Sequence, residues 1–306
     1  MNACWACLRA IDGGSRYHTG CLRELFGVTK APAIDVELAK LHTLALAMVG
    51  HTSLSGIQRK ISLRLAAESR TLQVAADGGL FILKPQAQTF PSLPENEHVT
   101  MRIAQRVGIT MPPCALIELK DGSLAYIVKR FDRLEGGRKL QQEDFCQLAG
   151  KAPKDKYTGS AELCAKLVLR YASAPIVDAQ RLFRVLAFTW WTGNGDMHLK
   201  NFSLLRGEDG MYRLSPAYDL LSTVLVIVDD QLALSVGGTK KQVGRKKWLD
   251  LAAQCQLKPV VAERVLRELR DATDDAITLI EASLLPADMK AAYRELVRER
   301  AAAWAR

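Results

Sequence analysis

The spacing of apolar residues changes from a strand pattern to a helix pattern part of the way along the chain. In Lys60–Leu65 polar and apolar residues alternate, which is typical of a strand with one buried face. After about residue 142, apolar residues recur at helical spacing instead, as in Leu163–Tyr171 and Val177–Trp191. The loop-like segment Arg133–Arg138 lies where the two patterns meet. We therefore expect an α+β protein with a sheet-rich N-terminal part and a mainly helical C-terminal part.

Turn residues divide the sheet-rich part into shorter elements. Asp77–Gly79 predicts a hairpin turn after Leu72–Ala75, and Asp121–Gly122 predicts a second one. Between them, Glu95–Val107 is expected to form a helix that ends at Gly108. The remaining expected elements are the strands Leu80–Lys84, Ala115–Leu119 and Leu124–Lys129, and the tail helices Val260–Ile280 and Ala287–Trp304.

The overall composition indicates a globular protein and excludes several classes. Apolar residues make up 48% of the 306 residues and charged residues 25%, which argues against disorder. The longest apolar stretches, such as Val185–Trp191, are far shorter than the roughly 18 residues of a membrane span. No export signal is visible, and seven cysteines are an odd number for a secreted disulfide scaffold. We expect a cytoplasmic protein with reduced thiols and no membrane partner.

The charge of the chain favours an anionic partner. Lys and Arg outnumber Asp and Glu by 42 to 33, which gives a formal net charge of +9. A nucleotide, a nucleic acid or an acidic protein surface would each fit this excess. The basic run Lys240–Lys247 fits docking to an acidic protein surface or to tRNA, although such runs are more often solvated loops and helix starts.

The segment Thr192–Asn201 indicates a specific chemistry. An Asp followed five positions later by an Asn, here Asp196 and Asn201, is an arrangement that phosphoryl transfer uses. The Asp accepts the proton of the attacking hydroxyl, and the Asn coordinates a metal ion bound to the phosphates. Asp219 would complete a Mg²⁺ site, because this cation prefers oxygen ligands. Taken singly, each of the three is more often a turn or helix-cap residue.

Two further segments carry groups that suit phosphate binding. Lys84 ends a predicted strand, and Glu97 on the next helix is able to pair with it and hold it in place. Thr52–Lys60 has small and hydroxyl residues that let a backbone approach phosphates, and Lys60 adds charge. A lone lysine at a strand end is usually solvated, and the loop is not a Walker A loop. The indication of phosphate binding therefore comes from these segments and the Asp–Asn motif taken together in their order, and not from any one of them alone.

In their order along the chain, these motifs resemble those of the HipA-like serine/threonine kinases, the toxins of toxin–antitoxin pairs. The resemblance implies a two-lobed protein-kinase-like fold with ATP between the lobes. It divides the chain into a cysteine-containing segment (1–50), a sheet-rich lobe with the phosphate loop (51–135) and a helical lobe with the catalytic and metal-binding residues (136–306). The matching segments are Ser55–Lys60, Phe81–Pro85, Asn96–Glu97, Lys129–Arg133, Asn194–Ser203 and Pro216–Leu220.

The resemblance also implies roles for individual residues. Asp196 is the implied catalytic base, and Asn201 and Asp219 are the implied Mg²⁺ ligands. Lys129–Phe131 is the implied hinge that faces adenine, and Asp132 lies near the ribose. The implied contacts to the nucleotide come from Ser55, Gly56, Lys60, Lys84, Lys129, Phe131, Asp132, Asn201 and Asp219.

The short N-terminal region points to a particular branch of this family. Longer HipA proteins carry an extra N-terminal subdomain ahead of the phosphate loop, whereas fifty residues precede it here. The chain thus resembles HipT, the short form in the three-component HipBST systems, where a separate small antitoxin supplies that subdomain. Ser53 and Ser55 match the autophosphorylated serines of the short form. A phosphate there would add about two negative charges and weaken ATP binding; alternatively, both serines only shape the loop.

The targets and partners of the family provide the expected interactions. The expected substrate is an aminoacyl-tRNA synthetase, with the tryptophanyl enzyme favoured over the glutamyl target of the longer toxins. The expected partners are the small antitoxin and a helix-turn-helix antitoxin, which brings in DNA only indirectly. Two alternatives stay open. One is a small-molecule phosphotransferase, and the other is a catalytically weak accessory protein of a DNA-bound repressor complex.

The N-terminal cysteines have a spacing that resembles a zinc knuckle. Cys4, Cys7, His18 and Cys21 would supply three thiolates and one imidazole to a tetrahedral Zn²⁺. Against this, the loop between the pairs is short, and neighbouring apolar residues such as Trp5 also fit a plain core. Structural zinc and apolar packing are therefore alternative interpretations of this segment.

Overall fold

The chain forms two compact units. The computed structural model describes residues 2–34, 36–40, 52–53, 58–66, 68, 70–134 and 136–305. The first unit comprises Met1–Arg102, Pro112–Lys139 and Glu281–Pro286, and the second comprises Ile103–Met111, Leu140–Ile280 and Ala287–Arg306. None of the helices within the described ranges combines the length and apolarity that a membrane crossing requires.

A five-stranded antiparallel sheet lies at the centre of the first unit. The elements of this part of the chain are β1 (Asn2–Ala3), β2 (Ala10–Ile11), α1 (Thr19–Phe26), β3 (Thr52–Ser53), β4 (Gln58–Arg59), β5 (Ile61–Ala66), β6 (Thr71–Val74), β7 (Phe81–Pro85), α2 (Leu93–Arg106), β8 (Cys114–Glu118) and β9 (Leu124–Lys129). The strand order of the main sheet is β6-β5-β7-β9-β8, while β1–β2 and β3–β4 form separate two-stranded pairs. The sheet thus places β7 at its centre.

One of the two predicted hairpins is present and the other is wrong. Strands β8 and β9 pair across the turn at Asp121–Gly122, as expected. Strands β6 and β7, however, do not pair with each other, because each pairs with a different edge of β5. The Asp77–Gly79 turn therefore lies in a connection that crosses β5 from one edge to the other. A Cβ atom on Gly79 would lie 2.0 Å from Ser62 Oγ and 2.9 Å from the Leu63 carbonyl oxygen, so the crossing requires glycine.

The N-terminal segment shares a hydrophobic core with this sheet. Leu22, Leu25 and Phe26 of α1 are buried together with residues of β5, β7 and β9. The ring of Phe26 lies 5.3 Å from that of Phe81, measured between centroids. At the edge strand β8, the backbone N–H of Leu116 donates to the Trp5 carbonyl at 2.9 Å. The segment therefore covers the sheet and also satisfies part of its free edge.

The second unit is mainly helical. Its elements are β10 (Gln142–Asp144), α3 (Phe145–Leu148), α4 (Ala161–Tyr171), α5 (Pro175–Trp191), β11 (Ser203–Arg206), β12 (Tyr212–Leu214), α6 (Arg245–Gln254), α7 (Pro259–Asp271), α8 (Thr273–Ala282, whose last two residues belong to the first unit) and α9 (Ala287–Ala302). The three strands form a small antiparallel sheet in the order β10-β11-β12. Short 3₁₀ turns occur at Leu199–Asn201 and Thr223–Leu225.

Helix α5 is the central helix of this unit. It begins with Pro175, whose missing N–H is tolerated in the first turn. It is buried on most sides, and Trp191 near its end donates from Nε1 to the Val297 carbonyl of α9 at 2.9 Å. The tail predicted to be helical over Val260–Ile280 is helical, but it consists of two helices, α7 and α8, separated at Ala272. At the break, Thr273 donates its hydroxyl to the Arg270 carbonyl at 2.6 Å, which offers the backbone a partner outside the helical pattern.

Leu83 on β7 tests the importance of the sheet core. Its side chain is fully buried, so Leu83→Ala should lower the free energy of unfolding by about 2–5 kcal/mol through lost burial and a cavity. Val228→Ala is the control, because Val228 is 91% exposed and its truncation should change stability by no more than about 0.5 kcal/mol. Urea unfolding followed by circular dichroism measures both. Equal effects of the two substitutions would contradict this description of the core.

Candidate active site

The loop that follows α5 is joined through Asn194 to the segment that carries Asp219. The side-chain oxygen of Asn194 accepts a hydrogen bond from the backbone N–H of Asp196 at 3.0 Å. Its Nδ2 donates to the backbone carbonyl of Asp219 at 3.3 Å. Asn201 donates from its own Nδ2 to the Asp196 carbonyl at 2.9 Å. The three predicted catalytic and metal-binding residues of this unit therefore belong to one hydrogen-bonded cluster.

Thr223 and Asp230 hold the same loop. The Thr223 hydroxyl accepts from the backbone N–H of Gly195 at 2.6 Å, and it also hydrogen-bonds the Asp230 carboxylate. The approach is so close that a Cβ atom on Gly195 would lie 2.0 Å from Asp230 Oδ2 and 2.5 Å from the Gln231 carbonyl oxygen. Glycine is therefore required directly before Asp196.

The Asp196 carboxylate is buried and hydrogen-bonded. Burial raises its pKa above the ordinary value. The hydrogen bond that Tyr157 donates to Asp196 Oδ1 and the charge of Lys156 oppose this rise, and the negative charges of Asp219 and Asp230 add to it. The net pKa is raised. A carboxylate with a raised pKa is a stronger base, which suits the acceptance of a proton from a hydroxyl.

Asp219 has an unusual backbone conformation. Its φ of 57° lies in the left-handed region, which Asp tolerates better than most residues other than Gly. The neighbouring Tyr218 anchors this turn: its hydroxyl donates to the Lys200 carbonyl at 3.0 Å and lies 2.7 Å from Ser203 Oγ. The conformation of Asp219 is thus stabilised from Asn194 on one side and from Tyr218 on the other.

Lys84 and Glu97 form a buried ion pair in the first unit. Lys84 Nζ lies 2.5 Å from Glu97 Oε1, and both side chains are at most 3% exposed. The ammonium also lies 5.5 Å from the ring centroid of Tyr126 on β9. The pair joins the central strand β7 to α2. Because burying two charges is costly even when they are paired, such a pair is weak evidence for stability and better evidence for function.

Asp132 is held by two arginines. Arg130 donates to both of its carboxylate oxygens, at 2.8 and 2.7 Å, and Arg133 donates at 2.5 Å. Burial by itself raises the pKa of Asp132, but the hydrogen bonds and charges of the two arginines outweigh it, and the pKa is lowered. The predicted role near the ribose stays a prediction.

The remaining predicted nucleotide residues differ in what the structure describes of them. Lys60, Lys129 and Phe131 are each half-buried, and Lys129 ends β9. Ser55 and Gly56 lie outside the described residues. Ser53 is described through its backbone, which pairs with Gln58 between β3 and β4. The predicted phosphate loop and the two predicted autophosphorylation serines therefore stay predictions.

The two other predicted features are the N-terminal cysteine cluster and the basic run. The ligand atoms of Cys4, Cys7, His18 and Cys21 all lie within 4.8 Å of one another in the first unit. In the second unit, residues 240–244 line a cavity of about 440 Å³ together with Asn194 and Gly195. Helix α6 begins at Arg245, which pairs with Glu263 at 2.7 Å. The basic run Lys240–Lys247 is therefore divided between a loop and a helix start.

Several residues of the cluster carry no sequence signal of their own. Asn194 lies within the recognised motif, but its side-chain bonds to two separate segments are visible only in three dimensions. Tyr157, Thr223 and Asp230 lie 39 residues before, 27 after and 34 after Asp196. They belong to no motif, because their function depends on long-range contacts and not on spacing along the chain.

A family model and several known proteins match this chain. The model described as the HipA-like C-terminal domain matches residues 52–277. Y4mE of Sinorhizobium fredii is 31% identical over 241 residues, which cover 74% of this chain and 56% of that protein. The serine/threonine-protein kinase toxin HipA of Shewanella oneidensis is 26% identical over 205 residues, 60% of this chain and 46% of HipA. The chain thus spans about half the length of the curated relatives it matches.

Two solved structures share the fold. The HipA chain in the Shewanella oneidensis complex of HipA, HipB and operator DNA has a TM-score of 0.70 and 21% identity, and the match covers 84% of this chain and 66% of that one. The Helicobacter pylori proinflammatory kinase CtkA has a TM-score of 0.52 and 16% identity, with 73% and 87% covered. The predicted α+β, kinase-like fold is confirmed.

The raised pKa of Asp196 predicts a pH-dependent cost in stability. Below the unfolded-state pKa of about 3.8 the carboxyl is neutral in both states and costs nothing. As pH rises through the window from this value to the raised folded-state value, the unfolded chain loses its proton first, so stability falls. Asp196→Asn removes the charge, and this variant should therefore gain more stability relative to the native protein at pH 7.5 than at pH 4.

Asp209→Asn is the control for this experiment. Asp209 is exposed, and the hydrogen bond from Arg213 lowers its pKa to about 2, so its replacement should have the opposite sign and cost stability at pH 7.5. Thermal unfolding at the two pH values measures both variants. If the stability change of both variants varied with pH in the same direction, burial would not be the cause of the pH dependence expected for Asp196.

Proposed function

Because the chain belongs to the HipA-like C-terminal domain family, we propose that it is an ATP-dependent serine/threonine protein kinase that acts as the toxin of a toxin–antitoxin system. One observation carries the proposal. Asp196 and Asn201, the Asp and Asn of the phosphoryl-transfer motif, are hydrogen-bonded to each other and connected through Asn194 to Asp219. A set of turn residues with no shared function would not need an amide that bridges two segments.

We also propose that the first unit binds the nucleotide. Lys84 carries the positive charge for the phosphates, and Glu97 holds its ammonium in place within the sheet. The buried pair restricts the position of the Lys84 ammonium. Asp132 and the backbone of Lys129–Phe131 are assigned to the nucleoside end. Ser55, Gly56 and Lys60 are assigned to the phosphates.

We propose Asn201 and Asp219 as the ligands of Mg²⁺. Both offer hard oxygen atoms, which is the donor chemistry that Mg²⁺ prefers. The amide nitrogen of Asn201 is engaged with the Asp196 carbonyl, which orients the amide and assigns its oxygen to the cation. When bound, Mg²⁺ neutralises charge on the phosphate oxygens.

We propose that Asp196 accepts the proton of the attacking hydroxyl. Its raised pKa favours acceptance of the proton from a serine or threonine hydroxyl as that oxygen attacks the terminal phosphate. Tyr157 orients the carboxylate by donating to Oδ1. Gly195 and Thr223 restrict the backbone on which the carboxylate is carried. We assign Tyr157 and Thr223 as positioning residues.

Removing either carboxylate should abolish the activity. Asp196→Asn and Asp219→Asn should each lower the rate of phosphate transfer by about 100-fold or more, since they remove the base and a metal ligand. Asp209→Asn, on the exposed surface, is the matched control and should keep the native rate. Transfer from labelled ATP to protein, self-modification included, is the measurement. Retention of the native rate in either active-site variant would refute the assignment.

We propose an aminoacyl-tRNA synthetase as the substrate, with the tryptophanyl enzyme favoured. The motif resemblance to the short-form toxins supports this choice. The test offers labelled ATP and the purified chain to a panel that contains the tryptophanyl and glutamyl enzymes, other synthetases and a metabolite extract. Phosphosite mapping by mass spectrometry then identifies the modified serine or threonine. Label that enters only the metabolite fraction would indicate a small-molecule phosphotransferase instead.

The proposed partners are the two antitoxins of a three-component system. Support comes from the solved complex in which Shewanella oneidensis HipA is held with HipB and operator DNA. By analogy, we propose a helix-turn-helix antitoxin that bridges this chain to DNA, and a small antitoxin that resembles the N-terminal subdomain of longer HipA proteins. Co-purification of the chain with the products of neighbouring genes, with and without operator DNA, tests both.

We further propose that phosphorylation of Ser53 and Ser55 switches the kinase off. Two phosphates at these positions would repel the phosphates of ATP. Replacing both serines by Asp should therefore weaken ATP binding by about tenfold or more, measured by calorimetry. The double replacement by Ala is the control and should bind ATP as the native chain does. Equal affinity of the Asp and Ala variants would rule out this switch.

A further inference from the structure

Four metal-ligating side chains, none of them among the residues assigned to phosphate transfer, converge in the first unit. Cys4 Sγ lies 4.0 Å from Cys21 Sγ, and Cys7 Sγ lies 3.4 Å from His18 Nδ1. A tetrahedral Zn²⁺ with ordinary bond lengths would separate two sulfurs by roughly 3.8 Å and a sulfur and a nitrogen by roughly 3.6 Å. These two separations are therefore close to those of a tetrahedral site, and all four ligand atoms lie within 4.8 Å of one another.

The local fold brings the two pairs of ligands together. Cys4 and Cys7 lie on the turn that follows β1, which is closed by hydrogen bonds from the Cys4 N–H to the Arg9 carbonyl and from the Leu8 N–H to the Cys4 carbonyl, both 2.9 Å. Leu8 adopts a left-handed φ of 60° to complete this turn. His18 occupies the N-cap position of α1 without a side-chain capping hydrogen bond, and Cys21 lies in the first turn of the helix. A hairpin turn and a helix start thus each contribute two ligands.

Hydrogen bonds orient the ligands toward a metal. His18 Nε2 lies 3.1 Å from the Ala10 carbonyl, which only accepts, so the ring proton is on Nε2 and the lone pair of Nδ1 faces Cys7. The backbone N–H of His18 donates to Cys4 Sγ at 3.4 Å. The Arg9 guanidinium donates to Cys7 Sγ at 3.5 Å. Donors of this kind stabilise thiolates, which are the form that binds zinc.

We propose that Cys4, Cys7, His18 and Cys21 bind one structural Zn²⁺. Binding displaces the protons of three thiols, and the neutral imidazole binds through Nδ1, so the loaded site carries one negative charge. Arg9 lies beside Cys7 to offset it. Three sulfurs and one imidazole favour zinc over Mg²⁺ or Ca²⁺, and four protein ligands leave no open position for catalysis.

The site also has a role in positioning the kinase machinery, and this part of the inference rests on the proposed function. Ala6, between the first two cysteines, accepts a hydrogen bond at 3.1 Å from Nε2 of His98, a buried residue on α2. His98 directly follows Glu97, the partner of Lys84. Zinc therefore holds the turn that supports α2 at the position of the ion pair.

Metal content tests the site without any kinase assay. The full-length chain, purified under reducing conditions and offered Zn²⁺, should hold about one equivalent per chain by elemental analysis. Cys7→Ser and Cys21→Ser should lose the metal. Cys146→Ser is the control, because Cys146 is a buried thiol outside the cluster that bonds only backbone carbonyls. Less than about a tenth of an equivalent in the native chain, or full loading of both cluster variants, would overturn the proposal.

If the serine variants fail to fold, a cobalt titration tests whether the four side chains bind a metal ion. Co²⁺ in a tetrahedral thiolate site absorbs visible light, so the native chain should develop these bands at one equivalent, and His18→Cys should keep the metal with a shifted spectrum. Absence of the bands in both chains would contradict the site.

Hydrogen exchange tests the positioning role. Chelation of the zinc should raise exchange in the 93–102 segment of α2, whereas unchanged exchange would refute the link to Glu97. Failure of the chain to phosphorylate any offered substrate would count against the kinase proposal and leave the zinc result unaffected.

Discussion

The buried ion pair between Lys84 and Glu97 imposes the strongest constraint on the first unit. Two charges removed from water are tolerated only when they remain in contact, so β7 and α2 must keep a fixed spacing and orientation. Much of the surrounding structure serves this requirement. The neighbouring strands bury β7 on both edges, and the Cys4–Cys7 turn contacts α2 through His98. The hydrophobic core that joins the N-terminal segment to the sheet includes Phe81 and Leu83 of β7 and so supports the same strand.

In the second unit, a neutral side chain performs the corresponding task. Asn194 has one donor and one acceptor group, and it uses them on the backbones of two segments that each carry a carboxylate. An amide brings Asp196 and Asp219 into one cluster without adding a charge that would neutralise either. Burial then raises the pKa of Asp196, at a cost in stability that a polar neutral residue would avoid. This cost is typical of functional sites.

The comparison of prediction with structure shows where local sequence signals are sufficient. Strand periodicity located β5, β6, β7, β8 and β9 to within about a residue or two, and the Asp121–Gly122 turn correctly joined β8 to β9. The Asp77–Gly79 turn failed to identify the partner of β7, because turn residues mark a change of direction and contain no information on pairing. The close crossing over Ser62 and Leu63, which requires Gly79, is a tertiary contact. The break between α7 and α8 was likewise invisible to helical periodicity.

Residue order alone identified the family, the α+β class, and the chemical groups suited to phosphate transfer and zinc binding, because those properties depend on residue type and spacing. It did not show that Asn194 joins the two acidic segments, that Thr223 and Asp230 hold the loop at Gly195, or that Tyr157 contacts Asp196. It also left zinc binding and apolar packing as alternative interpretations of the N-terminal cysteines. The folded chain shows these hydrogen-bonded contacts and brings the four N-terminal ligand atoms within 4.8 Å of one another, because hydrogen bonds between distant residues, burial and the convergence of ligand atoms are set by long-range packing.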